Sequence, residues 1–211
     1  MTIEGLPPAA RKAELRKAAL AARDLAAAMP GAAEAAAAAV AQQALAASML
    51  ASRMSSGIVA GYWPIRSELD PRPLMRALAA RGADLALPVV TPGGLVFRRW
   101  DEAAALEKAG FGTLGPAPDS PERAPDVLLL PLAAFDLAGN RLGYGQGHYD
   151  GAIARLTRER TDGERPFIVG IGYDAQLFDA IPREPHDQPL DAIVTPLQSI
   201  IVNNAAVRST G

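Results

Sequence analysis

Residues 127–156, VLLLPLAAFDLAGNRLGYGQGHYDGAIARL, pass from an apolar run through a glycine-rich loop into a segment with helical spacing. Strand, glycine loop and helix in that order restrict the chain to folds in which a buried strand delivers a loop to the end of a sheet. Gly139, Gly143, Gly145 and Gly147 let the backbone turn its N–H groups toward a bound anion, and the start of the following helix adds partial positive charge. Arg141 sits among them, and guanidinium is suited to bidentate phosphate contacts. The loop is neither a Walker A motif, lacking Gly-Lys-Ser/Thr, nor the GxGxxG dinucleotide fingerprint. Two readings stand: a structural glycine turn or a phosphate cradle. In a cradle, the flanking Asp136 and Asp150 need neutralising by Arg141 or by a divalent ion such as Mg2+. In a turn, Asp136 is a turn residue and Asp150 belongs to the first turn of the helix.

The rest of the chain alternates in the same way. Helical spacing runs over residues 6–28, with Leu15, Ala19, Ala22 and Leu25 on one side and Arg11, Lys12, Arg16, Lys17 and Arg23 around it. Met29-Pro30-Gly31 stops that helix, and a second, alanine-rich helix is expected over 32–53. Strands are expected at 57–63, 84–90, 95–100, 127–130, 167–173, 191–195 and 199–202, with Pro92-Gly93-Gly94 as a hairpin turn. Helices are expected at 73–80, 101–108 and 149–160, and a loop over 111–124. Strands interleaved with helices imply one α/β domain over residues 1–211, three layers deep, with a mainly parallel sheet covered on both faces. Ligands of such sheets gather beyond the strand carboxyl ends, where the glycine loop falls.

Composition narrows the function. A net charge of −2 argues against a surface built for nucleic acid or anionic lipid. With no cysteine there is no disulfide, thiolate metal site or cysteine nucleophile. The first residues lack the apolar core of a signal peptide, and Glu34, Gln42 and Gln43 interrupt the alanine run, so a cytoplasmic protein without membrane association is the expectation.

Other residues able to carry chemistry are scattered. Lys12 and Arg16 share a helix face and would reach a triphosphate if that helix packs near the glycine loop; otherwise they are a solvated basic face. Glu68 follows Tyr62-Trp63-Pro64, and an acid beside aromatics suits a flat heterocycle with N–H donors. His148 and His186 are too far apart in sequence for zinc-ligand spacing, while Asp187 is able to add a second carboxylate to a metal.

These residues together resemble the 5-formyltetrahydrofolate cyclo-ligase, or methenyltetrahydrofolate synthetase, family. PLAAFDLAGNRLGYGQGHYD is similar to the family pattern P-x-x-x-F-D-x-x-G-x-R-L-G-x-G-x-G-Y-Y-D. Lys12-Ala-Glu-Leu-Arg16, the Glu68 loop, the Gly112 to Pro116 segment and Pro185-His186-Asp187 match in the family's order. The resemblance implies a fold like that of sugar-phosphate isomerases and CoA transferases, a monomer, and small-molecule substrates. It implies ATP- and Mg2+-dependent closure of 5-formyltetrahydrofolate to 5,10-methenyltetrahydrofolate, with ADP and phosphate released. Carried over by position, Lys12, Arg16, Arg141, Leu142, Gly143, Tyr144, Gly145, Gln146, Gly147, His148 and Tyr149 would bind ATP, with Arg141 and Arg16 as the catalytic cations. Trp63, Glu68, Tyr144 and His148 would face the folate, Asp150 and Asp187 would hold Mg2+, and Asp136 would be a structural partner of Arg141.

The chain departs from the family pattern at His148, where many members have Tyr or Phe, and at Tyr144 and Gln146, where some have a basic residue. A titratable ring at His148 makes pH-sensitive folate stacking an expectation. A non-catalytic relative that binds folate, nucleotide or RNA is the alternative, and the intact Arg141, Asp150 and Asp187 set argues against it.

Overall fold

Five apolar runs of three to eight residues supply the parallel strands on which the molecule is built. The structure, a computed structural model, describes residues 7–110 and 112–202. The expected starts of the first helix at residue 6 and of the loop at residue 111 lie outside the described residues.

The central sheet has the order β11-β10-β9-β6-β1-β2-β3. Its strands are β1 (Ile58–Ala60), β2 (Asp84–Thr91), β3 (Gly94–Arg99), β6 (Val127–Pro131), β9 (Phe167–Ile171), β10 (Ala192–Val194) and β11 (Ser199–Ile201). The five inner strands are parallel, and β3 and β11 close the two edges antiparallel. Pro88 lies inside β2 without disturbing the sheet, because β1 ends at Ala60 opposite Ala86 and asks nothing of position 88. Strands β2 and β3 join through Pro92-Gly93, with Thr91 paired to Gly94.

Helices cover both faces. On one, α2 (Ala32–Ala46), α3 (Ser48–Met54) and α4 (Arg72–Ala79) bury Val40, Leu50, Met54, Leu74 and Met75 against Val59, Leu129 and Val169. On the other, α5 (His148–Glu159) packs Ala152, Ile153 and Leu156 against Phe97, Leu128 and Ile168. The alternation along β6 sends Leu128 and Leu130 to one core and Val127 and Leu129 to the other, as a strand buried on both faces requires. The result is the expected three-layer α/β/α arrangement with a mainly parallel sheet.

Several local expectations are corrected. The alanine-rich helix breaks at Ala47, whose backbone is extended, and α3 leaves α2 at 98°. Beyond the bend, Leu50 and Met54 lie fully in the core. No single described helix is long and apolar enough to cross a membrane. The helix expected at 101–108 is a turn followed by β4 (Leu106–Lys108), and the loop at 111–124 contains β5 (Leu114–Pro116), the two pairing antiparallel. Helical propensity at 101–108 yields there to tertiary pairing against the β2 end, where the Val90 N–H donates to the Ala109 carbonyl. Strand β1 stops at Ala60, so Tyr62 and Trp63 belong to the loop beyond it.

Helix α1 (Pro8–Ala27) packs across the end of the sheet, with Leu15 and Ala19 against Ala134, Leu142 and Ile181. Its inward face is rotated from the expected one. Leu25 is 75% exposed, whereas Arg23 is 1% exposed and Lys12 and Arg16 are half-buried. Beneath α1 lie the Glu184 and Asp187 carboxylates, the Gly143 carbonyl and the Ser67 hydroxyl, so cations at positions 12, 16 and 23 gain partners there that leucine would not.

Candidate active site

The carboxyl ends of β1, β2 and β6 open into a cleft of about 640 Å3 whose floor includes Val90, Leu130 and Pro131. Helix α1 closes one side, the Glu68 loop another, and the glycine loop and the start of α5 a third. The residues expected to bind ATP, folate or metal all line this cleft: Lys12 and Arg16 from α1, Trp63 and Glu68 after β1, the run from Arg141 to Asp150, and Asp187.

The glycine loop begins as a small hairpin. Strand β7 (Ala134–Phe135) pairs with β8 (Arg141–Leu142), and Asp136 closes the turn. Asp136 is buried and accepts N–H donors from Ala138, Asn140 and Ile181, as well as the Asn140 amide, at 2.8–3.0 Å. It is therefore structural, but its partners are the hairpin turn and Ile181 rather than the Arg141 side chain. The Arg141 guanidinium instead donates from Nη2 to Asp150 Oδ1 at 2.8 Å and from Nη1 to the Gln188 carbonyl. The Gln188 N–H donates to the same Asp150 oxygen at 3.0 Å.

Beyond β8 the loop turns toward α1. Arg16 Nε donates to the Gly143 carbonyl at 2.7 Å, and a β-carbon at Gly145, where φ is +88°, would lie 3.4 Å from Arg16 Nη2. Gly147, at φ +66°, starts α5, whose first N–H groups and partial positive charge face the cleft. No side chain caps that helix start, and Asp150 sits in its first turn.

Opposite Arg141, Lys12 Nζ donates to Glu184 Oε2 at 2.7 Å and Asp187 Oδ2 at 2.8 Å. Burial works against the Lys12 ammonium, but its bonds to Asp187 and Glu184 outweigh that and hold the proton more tightly than in an ordinary lysine. Burial likewise works against the Asp187 carboxylate. The bond from Lys12 and the Glu184 N–H outweigh it and keep Asp187 below the usual carboxylate range. Glu184, His186 and Asp187 bring one ligand atom each within 4.8 Å of one another, so the cleft has a cluster of groups able to hold a cation here. Glu184 and His186 were not singled out as a group with Asp187 by their sequence spacing; the 184–187 turn makes the cluster, with the Asp187 N–H donating to the Glu184 carbonyl.

Glu68 is buried at the opposite wall. Burial raises its proton affinity, and the Ile65 N–H, the Arg23 charge and the Tyr144 hydroxyl oppose that without cancelling it. Trp63 exposes part of its ring to the cleft while the Arg72 guanidinium stacks on it at 4.4 Å, itself held bidentate by Asp70. Tyr149 and Tyr62 have their hydroxyls pushed well up by burial and by the Glu68 charge, so both stay protonated, and the Tyr62 hydroxyl donates to the Leu69 carbonyl.

The profile of the 5-formyltetrahydrofolate cyclo-ligase family matches residues 8–196. The chain is similar to 5-formyltetrahydrofolate cyclo-ligase of Escherichia coli strain K12, 35% identical over 145 residues covering 65% of this chain and 77% of the relative. It is similar to the Mycolicibacterium smegmatis cyclo-ligase as well, 30% identical over 71% of this chain and 78% of the other. The solved structure of Aquifex aeolicus 5,10-methenyltetrahydrofolate synthetase superposes with a TM-score of 0.71 at 29% identity, covering 91% of this chain and 93% of that one. A Mycoplasma pneumoniae 5,10-methenyltetrahydrofolate synthetase, 23% identical, shares the fold at a TM-score of 0.65, covering 88% and 98%. With the motif match, the fold and the cleft in agreement, this chain belongs to the 5-formyltetrahydrofolate cyclo-ligase family.

Proposed function

We propose that this chain closes 5-formyltetrahydrofolate to 5,10-methenyltetrahydrofolate, coupled to conversion of ATP to ADP and phosphate, with Mg2+ as the resident cation. The observation that carries the reading is the convergence of four separated segments, α1, the 63–68 loop, residues 141–150 and residues 184–187, on one cleft in a member of this family. One chain carries every group needed, which supports a single domain acting as a monomer, on small-molecule substrates.

Lys12, Arg16 and Arg141 supply the positive charge for the ATP phosphates, and the backbone of 142–149 with the α5 N-terminus supplies N–H donors. Trp63, Glu68, Tyr144 and His148 form the folate side. Glu68 is placed to accept paired N–H donors from the pterin, and Trp63 offers stacking area. Asp150 and Asp187 fit Mg2+ by donor chemistry. Each has one oxygen tied by protein donors, Asp150 Oδ1 and Asp187 Oδ2, and a second hard oxygen that would take an ion, the one of Asp187 lying 3.7 Å from His186 Nε2. When bound, the ion would neutralise charge on the phosphates.

The chemistry needs positioning more than a protein nucleophile. Arg16 and Arg141 hold the γ-phosphoryl group toward the formyl oxygen. A phosphorus–oxygen bond forms there as the bond to ADP breaks. N10 then attacks the formyl carbon, loses its proton, and phosphate departs with the former formyl oxygen. Half-buried Tyr149 and the apolar floor at Val90, Leu130 and Pro131 would limit water around the phosphorylated intermediate. The test is direct: the protein with 5-formyltetrahydrofolate, ATP and Mg2+ must generate methenyl absorbance that requires ATP. No ATP-dependent product at saturating substrates overturns the proposal.

A further inference from the structure

The largest fully buried side chain among the described residues is an arginine. Arg23, on α1, is 1% exposed and does not line the cleft, and among the described residues no carboxylate forms an ion pair with it. A buried guanidinium is costly unless its surroundings repay it. Its Nε donates to Ser67 Oγ at 3.0 Å, and Ser67 Oγ in turn donates to Asp24. Its Cζ lies 5.7 Å from the centre of the Tyr144 ring. The buried Tyr144 hydroxyl reaches both Arg23 and Glu68 without the geometry of a full hydrogen bond to either, and Arg23 Nη1 is likewise buried without a hydrogen-bond partner among the described residues.

Arg23 therefore stands directly behind two walls of the cleft. Ser67 precedes Glu68 on the folate wall, and Tyr144, whose side chain joins that wall, belongs to the glycine loop whose backbone makes the nucleotide wall. On the same helix, two turns before Arg23, Arg16 holds the Gly143 carbonyl next to Tyr144. We infer that Arg23 is a positioning residue, which locks the Glu68 loop and Tyr144 into one arrangement so that the folate and ATP walls are set together. The inference rests on the cyclo-ligase reading above.

A structural filler and a positioning residue differ in what they do to Glu68. The charged and titratable groups facing Glu68 are Arg23 from α1, Arg66 and Tyr62 from its own loop, Tyr144 from the glycine loop and Tyr149 from α5. Burial already favours the protonated form of Glu68, and Arg23 is the leading charge that opposes it, after the Ile65 N–H bond. Without Arg23, Glu68 takes up a proton at higher pH and loses its ability to accept paired N–H donors.

The experiment compares wild type, Arg23→Met and Arg23→Lys by steady-state kinetics across pH, with folate binding followed by tryptophan fluorescence. For Arg23→Met the account expects KM for 5-formyltetrahydrofolate to rise at least about tenfold, the loss expected when a charge-assisted contact goes. The acid limb of kcat/KM for folate must move to higher pH. If Arg23→Met does not fold, Arg23→Lys carries the test: folate KM rises while the acid limb stays at its wild-type position, because the charge remains. Arg23→Met with unchanged folate KM and acid limb overturns the inference, as does Arg23→Lys with unchanged folate KM. A wild type that forms no methenyl product overturns the cyclo-ligase reading instead, and fluorescence-detected folate binding then still reads whether Arg23 shapes the pocket.

Discussion

Replacing Arg141 with methionine separates catalysis from folding, because the two losses differ by orders of magnitude. The side chain is 9% exposed and Asp150, its partner at 2.8 Å, is 24% exposed. Asp150 keeps the Gln188 N–H at 3.0 Å and is open enough to gain water, so the pair lies between a surface and a fully buried one. The expected folding loss is about 2 kcal/mol. For a chain of this length that lowers the melting temperature by about 4–8 °C and leaves the protein folded at 25 °C. An arginine clamping a transferred phosphoryl group contributes about 10³–10⁵ in rate, or roughly 4–7 kcal/mol. Arg141→Met is therefore expected to retain its circular dichroism spectrum and lose at least about a thousandfold in kcat. Thermal melts and the methenyl absorbance assay on the same preparation measure both. A folded variant within tenfold of wild-type kcat refutes the role of Arg141, and a loss that follows unfolded fraction refutes the separation.

Other outcomes follow from particular contacts. Asp136→Ala removes the acceptor of three backbone N–H groups and one amide inside the hairpin turn, and urea unfolding should show a loss of about 3 kcal/mol or more; a change under about 0.5 kcal/mol contradicts the assignment. Gly145→Ala places a side chain at φ +88° against Arg16, so KM for ATP should rise several-fold while KM for folate holds; equal rises in both contradict the division of the cleft. Asp187 is held below the usual carboxylate range, so its stabilisation is complete at neutral pH and lost as pH falls through its folded-state value, while Lys12, with raised proton affinity, stays charged throughout. Urea midpoints between about pH 3 and 7 should fall less steeply for Asp187→Asn than for wild type, and parallel curves contradict the pairing.

The seven strands of the central sheet and α5 were legible because both cores draw on them: a run such as VLLLP is apolar on every residue, and only a doubly covered strand needs that. The glycine loop was legible because its chemistry is local. What escaped was set by distant partners. Residues 101–108 have helical composition but sit where β5 can pair with them, and nothing in an alanine run marks Ala47 as the residue that bends. Helix α1 misled for a related reason. Periodicity identifies apolar faces, whereas the inward face here carries Lys12, Arg16 and Arg23, matched to Asp187, Gly143 and Ser67 from three other segments. Spacing of four and seven between cations was the available signal for Arg23, indistinguishable in sequence from a solvated basic stripe.

The account turns on where the formyl oxygen goes. With 5-formyltetrahydrofolate carrying oxygen-18 in its formyl group, ATP and Mg2+, isotope analysis of the released phosphate measures it. The account predicts methenyl product together with phosphate carrying the formyl oxygen-18. Unlabelled phosphate alongside methenyl product, or no methenyl product at all, contradicts it.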